Sequence, residues 1–318
     1  MLTFAGIIGG LVLLVLGGDV LVRGASSLSL RFGVSPLLIG LTVVGFGTST
    51  PELVTSLLAA SLDLPGIAIG NVVGSNICNI LLILGISALI YPMVINRRSF
   101  VRDGAVLTVV TLLCVFVLLS GSLERLWGAV FVLLLVGYIV FTYLKEKTAF
   151  SEETTDIAAD KSIPVPQAGI LKALLYTFGG IAVTILGAKL LVDGASGLAI
   201  EAGISEALIG VTIVAIGTSL PELVTSVIAA LKRQTDIALG NVIGSNIYNV
   251  LGILGITALV EPVVVPAEIA GTDVWVMLGA TGLLIIFSVF GWKISRLKGG
   301  LLLGGYGGYL GYLVIPLV

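Results

Sequence analysis

The sequence predicts an all-α polytopic membrane protein with ten transmembrane helices in two inverted five-helix repeats, and with the region of broken helices 2, 3, 7 and 8 at the centre. The first observation is composition. Of 318 residues, 57% are hydrophobic and 11% are charged, whereas soluble domains carry roughly 25% charged residues. The second is a succession of apolar runs of about 20 residues, each long enough to cross about 30 Å of hydrocarbon. The third is a long motif that occurs twice.

The apolar runs divide the chain into ten predicted spans and one extended polar segment. That segment, residues 145–170, is predicted to be a cytoplasmic linker between a first repeat at 1–144 and a second at 171–318. The predicted spans are 3–22, 36–62, 67–91, 104–121, 126–143, 171–192, 207–231, 237–260, 274–291 and 300–317.

The duplicated motif is the strongest internal signal. Residues 42–79 (TVVGFGTSTPELVTSLLAASLDLPGIAIGNVVGSNICN) match residues 212–249 at 23 of 38 positions with an offset of 170, and 16–28 match 186–198 at the same offset. Because each repeat holds an odd number of spans, the second must enter the membrane from the opposite side. This inverted arrangement is typical of secondary transporters.

The distribution of basic residues predicts the orientation. With the N-terminus outside and ten crossings, 14 of the 16 Lys and Arg residues fall on the cytoplasmic side, and only Arg125 and Lys189 fall on the other. Cytoplasmic loops are the ones enriched in Lys and Arg. The expected location is therefore the cell membrane, with both termini extracellular.

Composition also limits the chemistry. The net charge is −2 with no large basic patch, which argues against a nucleic-acid partner. The chain has no histidine, and its two cysteines fall inside apolar spans as expected buried thiols. The lipid bilayer is the evident partner; no cofactor and no obligatory protein partner are expected. Any bound ion must be held by oxygen atoms.

The first polar core lies near the middle of a span. Pro51 should break helix 2, because proline removes a backbone donor and clashes with the preceding turn. A new half-helix would then begin at Pro51, with a Thr or Ser cap, and free carbonyls near Gly45 would face a cavity. The second copy predicts the same around Pro221 and Ala215.

Helical spacing gathers the polar side chains. Glu52 shares a face with Thr55 and Ser56, and Asn71, Ser75 and Asn79 follow one another at i, i+4 and i+8. The second copy repeats both patterns. Oxygen-only ligands favour Na⁺, Ca²⁺, Mg²⁺ or Mn²⁺. Two glutamates can be neutralised by one divalent ion, by two monovalent ions or by two protons, and such competition at one site suits an antiporter.

Simpler interpretations of these residues exist. Glu52 could belong to a capping box, which would place a costly carboxylate at bilayer depth only to cap a helix. The Asn and Ser stripes, and Asn76 and Asn246 beside them, could serve interhelical hydrogen bonding. Asp19 and Arg23 are expected in ion pairs. A cation channel or an intramembrane hydrolase remains a different class of function for the same residues.

The motifs GTSTPELVTS and GNVVGSNICN, with their copies, resemble the α-repeats of the Na⁺/Ca²⁺ exchangers in the calcium/cation antiporter superfamily, of the prokaryotic type without a regulatory loop. The resemblance covers the whole chain. It implies ten helices, helices 1 and 6 that slide, and central sites for one Ca²⁺ or three Na⁺. The ligands it implies are Glu52, Glu222, Thr48, Thr218, Ser49, Ser219, Ser75, Ser245, Asn79, Asn249, Gly45 and Ala215.

One position departs from the family pattern. Many Na⁺/Ca²⁺ exchangers have Asp where this chain has Asn249, so Glu52 and Glu222 are the only acids in the cluster. Asn249 also argues against K⁺ dependence. The resulting hypothesis is electrogenic Na⁺/Ca²⁺ exchange that extrudes Ca²⁺ by alternating access. The alternative is an H⁺-coupled or other cation antiporter on the same fold.

Overall fold

The computed structural model describes residues 2–157, 169–201 and 215–314. The first half is a series of helices in which the expected second span is divided into short pieces. Its helices are α1 (Leu2–Phe32), α2 (Pro36–Ile39), α3 (Gly45–Thr48), α4 (Thr50–Ser61), α5 (Pro65–Cys78), α6 (Leu84–Ile90), α7 (Arg97–Leu119) and α8 (Arg125–Ile157). Two π-helical turns, Gly40–Val44 and Asn79–Ile83, join α2 to α3 and α5 to α6.

The second half repeats this order. Its helices are α9 (Ile170–Glu201), α10 (Ala215–Thr218), α11 (Leu220–Leu231), α12 (Thr235–Tyr248), α13 (Gly255–Val260), α14 (Val274–Val289) and α15 (Arg296–Val314). π-helical turns span Asn249–Leu254 and Ile269–Asp273. The prediction of a linker that begins at residue 145 is wrong for its first part, because α8 continues as a helix to Ile157. Residues 158–168 of the expected linker and the start of the expected seventh span lie outside the described residues.

The structure confirms an all-helical membrane fold. Within the described ranges, seven helices are long and apolar enough to cross a bilayer, and an eighth span results if the bent pair Pro36–Thr48 and Thr50–Ser61 is counted as one. The apolar helix α11 has 12 residues and is shorter than a full span. Many large apolar side chains are exposed on the outer faces of these helices, such as Phe116 at 63% and Leu133 at 71%, where lipid would cover them.

The two halves of the chain share backbone details at the offset of 170. Asp63 and Arg233 both have positive φ angles, of 56° and 61°, where one half-helix turns into the next helix. Thr111 and Thr281 lie across from each other with their hydroxyl oxygens 3.4 Å apart. The duplicated sequence therefore folds into duplicated local structure, down to residues in the left-handed region that side chains seldom adopt.

Four two-residue strands connect the halves. β1 (Met93–Val94) pairs with β4 (Lys293–Ile294), and β2 (Ser122–Leu123) pairs with β3 (Val263–Val264), both antiparallel. Each pair joins one strand from either half of the chain. The backbone groups of the loops between helices are thus partly satisfied by the opposite half.

The long helices α1 and α9 pack closely in antiparallel directions. Glycines make this close approach possible, because they have no Cβ atom. A Cβ atom on Gly10 would clash with the carbonyl oxygen of Gly187, from which it would lie only 2.7 Å away. One on Gly24 would lie 2.5 Å from the amide nitrogen of Thr177. Small residues that allow helix backbones to approach are the usual device for packing membrane helices.

Of the four helices expected to be broken, only the second and seventh are divided. The third and eighth run on through their π-helical turns, and each turn begins at an asparagine, Asn79 or Asn249. A π-helical turn loosens the regular hydrogen-bond pattern without ending the helix, and such turns are frequent at functional sites. The third and eighth helices therefore contain a local widening instead of a break.

Candidate cation site

The helix break predicted at Pro51 is present. The helix ends at Thr48, Ser49 adopts φ −83° and ψ 12°, and the next half-helix begins at Thr50 with Pro51 in its first turn. The two pieces are bent by 44°. In the second half Ser219 takes nearly the same conformation, with φ −89° and ψ 6°. Proline is tolerated in a first turn because that amide has no intrahelical acceptor.

The predicted capping role is wrong for both serines. Neither Ser49 nor Ser219 makes a side-chain capping hydrogen bond to its own half-helix. The Ser49 hydroxyl instead donates to Oε1 of Glu222 at 2.7 Å. The Ser219 hydroxyl donates to Oε1 of Glu52 at 3.1 Å. Each serine thus serves the carboxylate of the opposite repeat, which brings the two half-helix starts together.

Both carboxylates are buried. Glu52 and Glu222 are each 1% exposed, and the hydroxyl of Ser219 also lies 3.3 Å from that of Ser75. Charged groups at such depth are costly unless they are paired or bind a ligand. No lysine or arginine forms an ion pair with either acid among the described contacts.

Two asparagines hold the half-helices in place. Nδ2 of Asn71 donates to the main-chain oxygen of Glu52 at 2.9 Å, and Nδ2 of Asn241 donates to that of Glu222 at 3.2 Å. Each amide also donates to a serine of the same half-helix, Ser56 or Ser226, at 2.9 Å. For this pair the interpretation as interhelical hydrogen bonds is confirmed, and the bonds satisfy polar groups that would otherwise be unpaired in hydrocarbon.

The predicted carbonyl ligand of the first repeat faces the second. The hydroxyl of Ser245 donates to the main-chain oxygen of Gly45 at 3.3 Å. The backbones approach so closely that a Cβ atom on Gly45 would lie 3.0 Å from the amide nitrogen of Ser245. Thr48 extends the contact, since its hydroxyl donates to the main-chain oxygen of Val44 at 3.0 Å and to Oδ1 of Asn241 at 3.3 Å.

Several buried oxygen atoms of the two duplicated motifs have no donor within the described protein. They are Oε2 of Glu52 and of Glu222, and Oδ1 of Asn79, Asn246 and Asn249. All of them are acceptors, and an unpaired buried acceptor is costly. A bound cation is a group that would satisfy such acceptors. A cluster of oxygen acceptors suits the hard cations.

The described residues include no group of three or more His, Cys, Asp and Glu side chains that could hold a metal ion. The centre therefore differs from a resident metal site, in which several carboxylates or imidazoles surround one ion. Its acceptors come from two carboxylates, from amides, from hydroxyls and from main-chain oxygens. Such a site carries at most two negative charges of its own.

The contacts above connect some of the twelve residues predicted as ligands and leave others unconnected. The contacts above join Glu52 to Ser219 and Ser75, Glu222 to Ser49, and Gly45 to Ser245. Thr48 adjoins this set, and Asn79 and Asn249 contribute unpaired oxygens. Thr218 ends α10 beside an open cleft, and Ala215 begins the same helix. The assignment of the whole set as ion ligands stays a prediction.

The sequence predicts a cavity at the helix breaks, but the position of this cleft against α9 was not expected. It has a volume of about 310 Å³ and lies between α9, the first turns of α4 and the end of α10. Its lining residues are Thr50, Pro51, Val54, Thr55, Ile185, Ala188, Lys189, Val192, Asp193, Gly217 and Thr218. Thr218 in this lining is a predicted ligand, and Thr55 lay on the predicted polar face. In the repeat alignment, Lys189 and Asp193 correspond to Asp19 and Arg23 with the charges exchanged.

On α1, the residue that corresponds to Lys189 of the cleft is Asp19, and it forms an ion pair. Nζ of Lys232, at the end of α11, lies 2.6 Å from Oδ1 of Asp19, and Nε of Arg23 lies 2.8 Å from Oδ2 of the same residue. The hydroxyl of Ser26 adds a hydrogen bond to Oε1 of Gln234 at 3.2 Å. The predicted ion pairing of Asp19 and Arg23 is confirmed, with Lys232 as an unexpected third member.

Comparison with known proteins places this arrangement in a family. The family model described as sodium/calcium exchanger protein matches residues 2–144 and 172–315. The sodium/calcium exchanger MaX1 of Methanosarcina acetivorans is 36% identical over 95% of this chain and 95% of its own length. The inner membrane protein YrbG of Escherichia coli is 38% identical over 96% and 95%.

Solved structures agree with the sequence comparison. One of the sodium-calcium exchanger NCX_Mj superposes with a TM-score of 0.85 and 33% sequence identity, and the match covers 98% of each chain. The family is one of transporters rather than enzymes, and its substrates are Na⁺ and Ca²⁺. With both halves of the chain matched and the two carboxylates at their interface, this protein belongs to the sodium/calcium exchanger family.

Proposed function

We propose that the protein is an electrogenic Na⁺/Ca²⁺ antiporter that extrudes Ca²⁺ by alternating access, with ten helices in two inverted repeats. The observation that carries this proposal is that the two buried carboxylates, Glu52 and Glu222, each accept a hydrogen bond from the opposite repeat and each keep one unpaired oxygen. Those acceptors match the oxygen ligands that Na⁺ and Ca²⁺ prefer. In this proposal the ions are cargo, and the protein needs neither a cofactor nor an obligatory protein partner.

The charge of the site supports exchange rather than permanent binding. The affinity of a calcium site rises with the number of its charged ligands. Only two carboxylates, Glu52 and Glu222, belong to this one, because residue 249 is asparagine. One Ca²⁺ leaves the loaded site neutral, and three Na⁺ leave it with a charge of +1. The two loaded forms would then differ in charge, so exchange would move net charge across the membrane.

The surroundings of the site support access from one face at a time. The cleft beside α9 reaches Thr218, the neighbour of Ser219. On the side of α1, the ion pair between Asp19 and Lys232 holds that helix against the end of α11. In the proposed orientation, with both termini outside, the cleft opens to the extracellular side and the ion pair lies near the cytoplasmic side.

The test is uptake of radiolabelled Ca²⁺ into liposomes that contain the purified protein. Vesicles loaded with Na⁺ are compared with vesicles that carry only a pH gradient and with vesicles without a gradient, each at membrane potentials set with K⁺ and valinomycin. We expect uptake that requires internal Na⁺ and responds to potential. Uptake driven by the pH gradient alone would instead establish the H⁺-coupled alternative, and passive flux in all three would indicate a channel.

A further inference from the structure

Asn76 contacts a predicted ligand although it lies off the polar stripe. It is 2% exposed, and its Oδ1 accepts a hydrogen bond of 3.0 Å from Nδ2 of Asn249. Its own Nδ2 lies 3.5 Å from the main-chain oxygen of Asn246 and 3.6 Å from the sulfur of Met277. Asn76 thus receives one hydrogen bond from the second repeat and donates to two acceptors of that repeat.

The chemistry of these contacts fixes the direction of both amides. A main-chain oxygen is only an acceptor, so the group of Asn76 that faces Asn246 must be its NH₂. Its oxygen then faces Asn249, and Asn249 must present its own NH₂ in return. The remaining oxygen of Asn249 is one of the buried acceptors without a donor. The chain of bonds therefore decides which end of Asn249 is left for a cation.

The repeat-related asparagines do not form the same chain. By the offset of 170, Asn246 corresponds to Asn76, and Asn79 corresponds to Asn249. Nδ2 of Asn246 donates instead to the main-chain oxygen of Val242 in its own helix, at 2.9 Å. Among the described contacts, no hydrogen bond joins Asn79 to Asn246. Among the described contacts, only the Asn249 amide is thus held by an asparagine of the other repeat.

We infer that Asn76 is a positioning residue that holds the Asn249 amide so that its oxygen faces the transported ion. The inference rests on the proposed function, because it assumes that the ion binds at this centre. It assigns Asn76 a part in specificity. Asn76 favours a neutral amide at position 249, because its Oδ1 needs a hydrogen-bond donor there. An ionised carboxylate has no donor and would place a second oxygen against that Oδ1.

The experiment compares Asn76→Leu with Asn249→Leu, with the double variant and with the control Thr111→Val. Thr111 is a buried residue, 1% exposed, whose hydroxyl meets Thr281 across the two halves. The control therefore loses a buried cross-repeat hydrogen bond that leads to no predicted ligand. Two quantities are measured: the KM and maximal rate of Ca²⁺ uptake, and the Ca²⁺ concentration that half-maximally raises the Tm of the purified protein.

We expect Asn76→Leu to raise both Ca²⁺ values about tenfold with little change in maximal rate, the effect of losing one hydrogen bond that orients a ligand. The double variant should be no worse than Asn249→Leu, because Asn76 acts through Asn249. A change no larger than that of Thr111→Val, or effects that add in the double variant, would overturn the inference. If wild-type vesicles lack Na⁺-driven uptake, the proposed coupling fails, and the Tm measurement still tests Asn76.

Discussion

The two carboxylates and the bonds that hold their half-helices keep the symmetry of the sequence repeat, and the flanking pair α1 and α9 does not. At the centre, Ser49 and Ser219 reach the carboxylates of opposite repeats, and Asn71 and Asn241 hold the corresponding main-chain oxygens. At the flank, Asp19 is tied to Lys232. The residue of α9 that corresponds to Asp19 is Lys189, which lines an open cleft.

This difference shows that the repeated sequence determines the contacts within each half-site but does not determine the positions of α1 and α9. Each half-site is built from the same set of contacts, which the duplicated sequence makes twice. The contacts of α1 and α9 with the half-helices depend on the position of each whole helix. The same sequence is therefore compatible with two arrangements, in which α1 and α9 exchange their roles. If the structure represents one of two such arrangements, substitutions of the carboxylates and of their serine donors should have equal effects in both repeats, and substitutions at the flank should not.

The largest effects are expected for Glu52→Gln and Glu222→Gln. Each change removes one of the two negative charges at the centre, and an uncompensated change of charge in a buried site costs several kcal/mol. Na⁺-dependent Ca²⁺ uptake should therefore fall at least about 100-fold in both variants. Glu261→Gln, at an exposed acid, is the control and should leave uptake unchanged. Strong uptake in either variant would contradict a shared two-carboxylate centre.

Next in size are Ser49→Ala and Ser219→Ala. Each removes a hydroxyl donor to a buried carboxylate, and we expect the KM for Ca²⁺ to change by about tenfold in both. Equality of the two effects is the point of the measurement. Ser61→Ala, which removes an exposed hydroxyl bonded to its own helix, serves as the control. Effects that differ by more than a few-fold would show that the half-sites are not equivalent in function.

Much of the centre could be predicted because its signals are local. Proline in an apolar span marks the break at residue 51, and the spacing of Asn71, Ser75 and Asn79 marks a polar helix face. The partners of Ser49 and Asn76 could not be predicted, because both bonds cross between residues more than 170 positions apart. A capping motif and a cross-repeat bond use the same serine, and only the packing of two half-helices decides between them.

The π-helical turns and the cleft had no sequence signal of their own. Helices 3 and 8 contain no proline near Asn79 or Asn249, and their composition fits an ordinary helix as well as a widened one. The cleft depends on where α9 lies relative to the half-helices. That position is a property of the whole assembly, so the exchanged charges of the repeat alignment could indicate ion pairs without showing which of them form.

A smaller effect is expected from breaking the ion pair between Asp19 and Lys232. The pair is partly exposed, so its loss should cost at most about 1 kcal/mol. If the pair favours the arrangement with the open cleft, Lys232→Ala should slow the labelling of Thr55→Cys by a water-soluble thiol reagent about two- to threefold. The buried native thiols Cys78 and Cys114 give the background. Lys293→Ala is the control, and unchanged labelling in both would show that the pair has no part in the equilibrium.

The smallest expected effect is that of Asp63→Asn on the labelling rate, and its sign is the informative quantity. At the offset of 170, Asp63 corresponds to Arg233 beside Lys232, as Lys189 corresponds to Asp19, so the alignment exchanges the charges of both partners. In the second arrangement we therefore expect Lys189 to meet Asp63. Asp63→Asn should destabilise that arrangement and speed the labelling of Thr55→Cys, by less than about twofold because both residues are exposed. Opposite signs for Asp63→Asn and Lys232→Ala require two arrangements related by the repeat, whereas changes of the same sign would contradict them.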